Sequence, residues 1–218
     1  ASEMNIRVRE MAAETGAPVV TFYDSTGAKL EGGLDLLNAN ARLTAEIARV
    51  SGVVPQVAVV TGTCAGTNAI NAAAADVCVM AEDAELFLNA PFNAEDKVAN
   101  AGSAAFAAKA GVAAVTAADA VAAAKQAASI VALLPANNLA GPALFDFAAP
   151  SKALDLVKYS AADAIAALAD EGSTVELYAG YGKNIVTALA TINGSAVGVL
   201  PTEKAAMYRR CTGKAATL

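Results

Sequence analysis

Two strand exits carry the chemistry this sequence offers: Asp24-Ser25-Thr26-Gly27-Ala28 and Gly62-Thr63-Cys64-Ala65-Gly66-Thr67. Each follows a buried, Val-rich run and leads toward a helix, whose N-terminus carries about half a positive charge. Residues this small let backbone N–H groups face a ligand. Two such amides converging from two turns make an oxyanion hole, which stabilises negative charge developing on a carbonyl oxygen, and losing one donor costs roughly 2.7–4 kcal/mol. On spacing alone, the same glycines read first as ordinary strand exits of an α/β domain.

A backbone device suits the composition. The 218 residues include no histidine, which excludes Ser-His-Asp and Cys-His catalysis, an imidazole base, and His-bearing zinc, haem or di-iron sites. Catalysis must then come from carboxylates, lysine, tyrosine or the main chain. The three cysteines, Cys64, Cys78 and Cys211, are odd in number and share no metal-ligand spacing, so no metal site is expected and a reducing cytoplasm fits best. With 21 acidic against 15 basic side chains and no basic run, no nucleic-acid partner is expected. Hydrophobic residues make up 56% and aromatics only 5%, so the core must be built from Ala, Val, Leu and Ile. Arg7, Arg9 and Glu10 interrupt the start before an apolar signal region forms. The run 112–134 is apolar enough to mimic a membrane span, but Asp119 and Lys125 near its middle each cost roughly 2.5–3.5 kcal/mol at a bilayer centre. No transmembrane segment is expected.

The elements that must position the two exits alternate between 3.6-residue periodicity and Val-rich runs, the pattern of an α/β fold. Met4–Thr15 reads as a helix, Val19–Tyr23 as a buried strand, Leu34–Ser51 as a helix with Gly52 just past its end, and Val53–Val60 as a second buried strand. The small-residue turn from Thr61 opens a helix over Asn68–Ala75. Val77–Met80 and Glu85–Leu88 are short strands. Residues 93–134 read as alanine-rich helix, best over Ala117–Leu134, capped by Asp119 or Thr116 and stopped by Pro135. Residues 135–152, rich in Pro, Gly and Asn, form a linker between a first domain, 1–134, and the start of a second, 153–218. There, Ala161–Asp170 is a helix, Thr174–Tyr178, Ile185–Ile192 and Ala196–Leu200 are strands, and Lys204–Leu218 is helical. Asn193-Gly194 is the strongest hairpin signal in the chain.

Four segments, in order, resemble one family. They are Thr15–Ala28, Ser51–Val60 with Gly62–Gly66, Leu133–Asn138, and Tyr181–Val186 with Ile192–Gly198. Together they are similar to the biotin-dependent acyl-CoA carboxyltransferases, the family that includes propionyl-CoA carboxylase and glutaconyl-CoA decarboxylase. The resemblance implies a crotonase-like (ClpP/crotonase) α/β fold. This is a spiral of ββα units, here one nearly complete set lacking its opening hairpin, plus the opening hairpin of a second.

It also implies that the backbone N–H groups of Ala28, Gly66 and Thr67 hold the carbonyl of an acyl-CoA thioester, with Gly27, Lys29 and Ala65 binding substrate around them. Lys29 stands where the family commonly has arginine and either meets a CoA phosphate or is a solvated loop lysine. Where the family usually has two glycines after Cys-Ala, this chain has Gly66-Thr67. The implied reaction moves a carboxyl group between biotin and the α-carbon of an acyl-CoA, in either direction. No Ala-Met-Lys-Met type attachment site occurs, because Ala206-Met207 is followed by Tyr208, so biotin is expected on a separate carrier protein or domain. A second oxyanion hole, which serves biotin in the family, would lie downstream of Leu218.

Three accounts of the ends stand together: a piece of a longer polypeptide, a split subunit completed by a partner, or a permuted arrangement. Two other functions stay open. A crotonase-type hydratase or isomerase needs a carboxylate base, for which Glu31, Asp35 and Glu85 are nearest; the other is a non-catalytic assembly subunit. A homo-oligomer is expected, with the Asn68–Ala75 helix near the subunit boundary, and the resemblance leaves room for a membrane-bound partner.

Overall fold

The computed structural model describes residues 2–28, 30–93, 98, 100–155, 157–203 and 206–218. Helix α1 (Ser2–Thr15) leads into β1 (Val19–Ser25), α2 (Gly33–Val50), β2 (Gln56–Ala65), α3 (Thr67–Ala73), β3 (Val77–Ala81), β4 (Glu85–Phe87), α4 (Ala104–Ala110), β5 (Val115–Ala117) and α5 (Ala120–Leu133). Strands β1, β2, β3 and β5 lie side by side in that order, all parallel, and β4 pairs with the far end of β2. Beyond them come α6 (Ala161–Leu168), β6 (Val175–Leu177), β7 (Thr187–Ile192), β8 (Ser195–Val199) and α7 (Arg209–Ala215). Strands β6, β7 and β8 form a separate antiparallel sheet.

The central strands are the Val-rich runs because a parallel strand covered on both faces has no polar side to present. Val57, Val59, Val60, Val79 and Met80 are all at most 1% exposed. Helix α5 covers them with a stripe of Ala123, Ala127, Ile130 and Leu133. The two alanines let the helix axis approach the sheet, while burying Ile130 and Leu133 is worth roughly 1.5–3 kcal/mol each. Asp119 caps α5, its Oδ1 accepting the Ala122 amide at 2.7 Å. The helix has 14 residues, and no helix among the described residues is long and apolar enough to cross a membrane.

Several boundaries differ from expectation. Residues 93–134 are not continuously helical: α4 is short, and β5 inserts as a parallel rung beside β3, pairing Val79 with Val115. Helix α7 is confined to Arg209–Ala215 rather than filling Lys204–Leu218. Before it, Thr202 bridges to Ile185 and the Glu203 amide donates to Asn184, which holds that stretch extended, and Lys204 lies outside the described residues. The Asn193-Gly194 hairpin forms with both residues at positive φ, 51° and 75°, the geometry of a type I′ turn.

Residues 135–152 lie along both sheets. The Asn137 side chain donates to the Gly16 carbonyl at 3.0 Å, the Asn138 amide donates to Val53, and the Phe145 amide donates to Gly194. Leu177, Tyr178 and Leu189 belong to the same apolar cluster as the central strands.

Candidate functional site

Parallel strands end at a common edge, and ligands gather where their carboxyl ends open. β1 and β2 run in register from Val19 opposite Gln56 to Tyr23 opposite Val60, after which the next pair is Ser25 opposite Cys64. This bulge lets β2 advance past β1 before both chains turn. After β1, Gly27 adopts φ +109°. A Cβ at Gly27 would come within 3.7 Å of the Ala65 carbonyl oxygen, so the two exits do approach one another. After β2, Gly66 takes φ 65° and ψ −136° as the N-cap of α3, a backbone state essentially closed to other residues.

Between the exits lies a cleft of about 510 Å³. Gly27, Ala28, Ala65 and Thr67, all singled out from the sequence, line it. Gly66 does not, and Lys29 lies outside the described residues. Ser25 and Asn68 extend the same two exits, Glu31 enters from the turn before α2, and Leu36 and Asn40 form the opposite wall.

The amides divide into occupied and free. Gly66, expected to be a donor, gives its N–H to the Phe87 carbonyl at 3.0 Å. The reason is a boundary that sequence reasoning placed elsewhere. Residues 61–65 are strand, not turn, because β4 pairs Thr63, Cys64 and Ala65 with Glu85, Leu86 and Phe87; the ladder therefore claims the next amide. Gly27 N–H turns back to Ser25 Oγ at 3.3 Å. The N–H groups of Ala28 and Thr67 have no partner among the described residues. Thr67 opens α3, where the first N–H groups lack intrahelical acceptors, and its φ is not positive, so its Cβ does not force the amide away.

Side chains behind the exits fix them rather than react. Arg9, 3% exposed, donates to Thr21 Oγ1 at 2.9 Å and to Gln56 Oε1 at 3.3 Å, tying α1 to β1 and β2. Burial pushes the Tyr23 phenol up to about 12, opposed by the Arg9 charge. Burial likewise pushes the Cys64 and Cys78 thiols up to about 12, so neither is a thiolate nucleophile near neutral pH. Thr44 on α2 donates to Asn71 Oδ1 at 2.7 Å, which steadies α3. Of the three carboxylates named as candidate bases, Glu31 lines the cleft and Asp35 and Glu85 do not. Leu36 and Asn40 were legible in principle, since they continue the stripe of Leu43 and Ile47 back along α2.

The family model described as carboxyl transferase domain matches residues 1–214. The chain belongs to the carboxyl transferase domain family. Among curated members of the family, it is 32% identical to the methylmalonyl-CoA carboxyltransferase 12S subunit of Propionibacterium freudenreichii subsp. shermanii, over 93% of this chain and 42% of that protein. It is 29% identical to the propionyl-CoA carboxylase beta chain of Roseobacter denitrificans, over 90% of this chain and 42% of that one. Among solved structures, it superposes with a TM-score of 0.89 and 30% identity on transcarboxylase 12S, a hexamer crystallised with hydrolysed methylmalonyl-coenzyme A bound. The match covers 99% of this chain and 47% of that one. The carboxyl transferase fold is accordingly crotonase-like, as the sequence motifs implied. The chain spans less than half the length of the curated relatives it matches.

Proposed function

We propose that this chain forms the acyl-CoA side of a biotin-dependent carboxyltransferase, which moves a carboxyl group between biotin and the α-carbon of an acyl-CoA thioester. One observation carries the reading: the N–H groups of Ala28 and Thr67, from two strand exits, line a single cleft and have no acceptor among the described residues. Such a pair matches the oxygen of a thioester carbonyl, on which charge accumulates when the α-carbon becomes a carbanion. Gly27 and Ala65 let the substrate approach the backbone, and Leu36 keeps one wall apolar, which strengthens the hydrogen bonds. Gly66 contributes through φ rather than through its amide.

Biotin supplies or accepts the carboxyl group when bound, and a biotin carrier protein or domain would deliver it. Residues 1–134 form the acyl-CoA domain, 135–152 a connecting strap, and 153–218 the opening of a second domain. A homo-oligomer is supported by edge strand β1, which leaves Val20 and Phe22 exposed, and by Met4 and Met11 on α1. Action in the cytoplasm fits the three free cysteines.

Acetyl-CoA or propionyl-CoA should raise the unfolding temperature, since saturation at one hundred times Kd adds about 2.7 kcal/mol. Ala28→Pro, which deletes one donor, should abolish carboxyl transfer in the assembled enzyme without dispersing it. No protection at about millimolar ligand, or full activity in Ala28→Pro, would overturn the reading. Glu31 at the cleft favours a second reading, a crotonase-type hydratase or isomerase. Hydration of crotonyl-CoA that is lost in Glu31→Gln would establish it.

A further inference from the structure

On a different part of the molecule, the end of α4, the loop at 180–184 and the start of α7 enclose a cleft of about 750 Å³. It shares no lining residue with the acyl-CoA cleft. Glycines bring the three segments together. A Cβ on Gly111 would meet the Tyr181 ring at 3.0 Å, one on Gly180 the Ala108 carbonyl at 3.2 Å, and one on Gly182 the Arg210 carbonyl at 3.0 Å.

Lys109, Lys183, Arg209 and Arg210 line this cleft, and none of them has an ion pair or side-chain hydrogen bond among the described residues. Their concentration runs against the chain's net charge of −6. From residue 180 onward there are five basic side chains, Lys183, Lys204, Arg209, Arg210 and Lys214, and a single acidic one, Glu203, whose carboxylate is already bound to the Ala161 amide. Like charges gathered around a concavity without counter-charge repel one another and focus a positive potential into it. A polyanion relieves both effects. Arginine forks match phosphoryl oxygens in bidentate fashion, and Tyr208, 66% exposed beside them, offers a ring face on which a base can stack.

We propose that this cleft is a second ligand site, which takes a nucleoside carrying two or more phosphates. The volume falls within the range of small-molecule sites, about 300–1,000 Å³, and four cations balance a diphosphate or larger anion better than a monophosphate. The same chemistry occurs in a free nucleoside diphosphate and in the nucleotide end of CoA.

Calorimetric titration of the intact protein with inorganic pyrophosphate, ADP and AMP tests the site. Pyrophosphate and ADP should bind saturably, with AMP about tenfold weaker, and R209A/R210A should weaken both by about tenfold or more. Tyr208→Ala should weaken ADP and leave pyrophosphate unchanged. If bound ADP is displaced by CoA, the site belongs to CoA itself; if it is not, to a free nucleotide. Should the double variant fail to fold, the exposed loop residue Lys183 carries the same test as Lys183→Ala. No saturable binding of pyrophosphate or ADP up to about 5 mM, or unchanged binding in these variants, would overturn the proposal.

Discussion

The Asp24 carboxylate occupies the space that a side chain on residue 62 would need: a Cβ built on Gly62 would stand 2.6 Å from Asp24 Cγ. The last residues of β1 and the extended end of β2 therefore meet carboxylate against backbone, and a side chain at residue 62 requires the exposed Asp24 carboxylate to turn away. Gly62→Ala should keep the fold, turn the Asp24 carboxylate outward at well under the roughly 1–3 kcal/mol of core overpacking, and leave acyl-CoA binding close to that of the parent. Gly141→Ala, where nothing lies within 4 Å, is the control and should leave ligand binding unchanged. Thermal melts with and without propionyl-CoA measure both effects.

Thr67 stands at the first position of α3, where proline is well tolerated because its missing N–H was never an intrahelical donor. Thr67→Pro therefore removes the donor with little harm to the helix. The expected result is a loss of about 10²–10³ in turnover, with the melting temperature nearly unchanged. Thr67→Ala, which keeps the amide, should retain activity. Equal turnover in the proline variant would show that the amide does not act.

Asp170 gathers the hairpin, accepting from Gly194 N at 2.7 Å, Asn193 N at 2.9 Å and Thr191 Oγ1 at 2.7 Å. Burial alone would push its pKa up, but these three bonds together outweigh it and hold the carboxyl below its ordinary value near 3.8. The charged form is thus favoured by folding, so its contribution is fully present above about pH 4 and is lost as pH falls through the lower, folded value. Asp170→Asn should lower stability at neutral pH and lose part of this acid dependence. Chemical denaturation from pH 7 down to about 2.5 reads the difference.

Lys214 presents the opposite sign. It is 2% exposed, and its ammonium donates to the Ile185 carbonyl at 2.9 Å. Burial lowers its pKa from 10.5, with Glu176 pulling it back. The unfolded chain holds the proton more tightly, so this group's penalty is greatest at neutral pH and fades as pH rises toward 10.5. Lys214→Met should flatten that rise, as denaturation midpoints between about pH 7 and pH 10 will show.

What could be read from the chain in advance was what neighbouring residues decide. Asn193-Gly194 selects its turn locally, Asp119 caps the helix that follows it, and the Val-rich runs announce buried strands at any register. The extension of β2 to Ala65 was not legible, because it exists only through pairing with β4, more than 20 residues away. That single partner decides that Gly66 N–H is spent and Thr67 N–H is free. Strand β5 escaped notice for a similar reason. Three residues within an alanine-rich stretch carry no periodicity of their own, and β3 makes them a strand.

Donors that belong to the main chain are carried by every residue except proline. At positions 28 and 67 the side chain can therefore change widely without erasing the N–H that the proposed function assigns to the thioester oxygen. What a substitution disturbs at this cleft is shape, through the positive φ of Gly27 and Gly66. An inhibitor would meet the same situation from the other side. With Cys64 fully buried and no histidine in the chain, a compound aimed at a thiol or an imidazole has no handle here, whereas one that presents an oxyanion to two amides does.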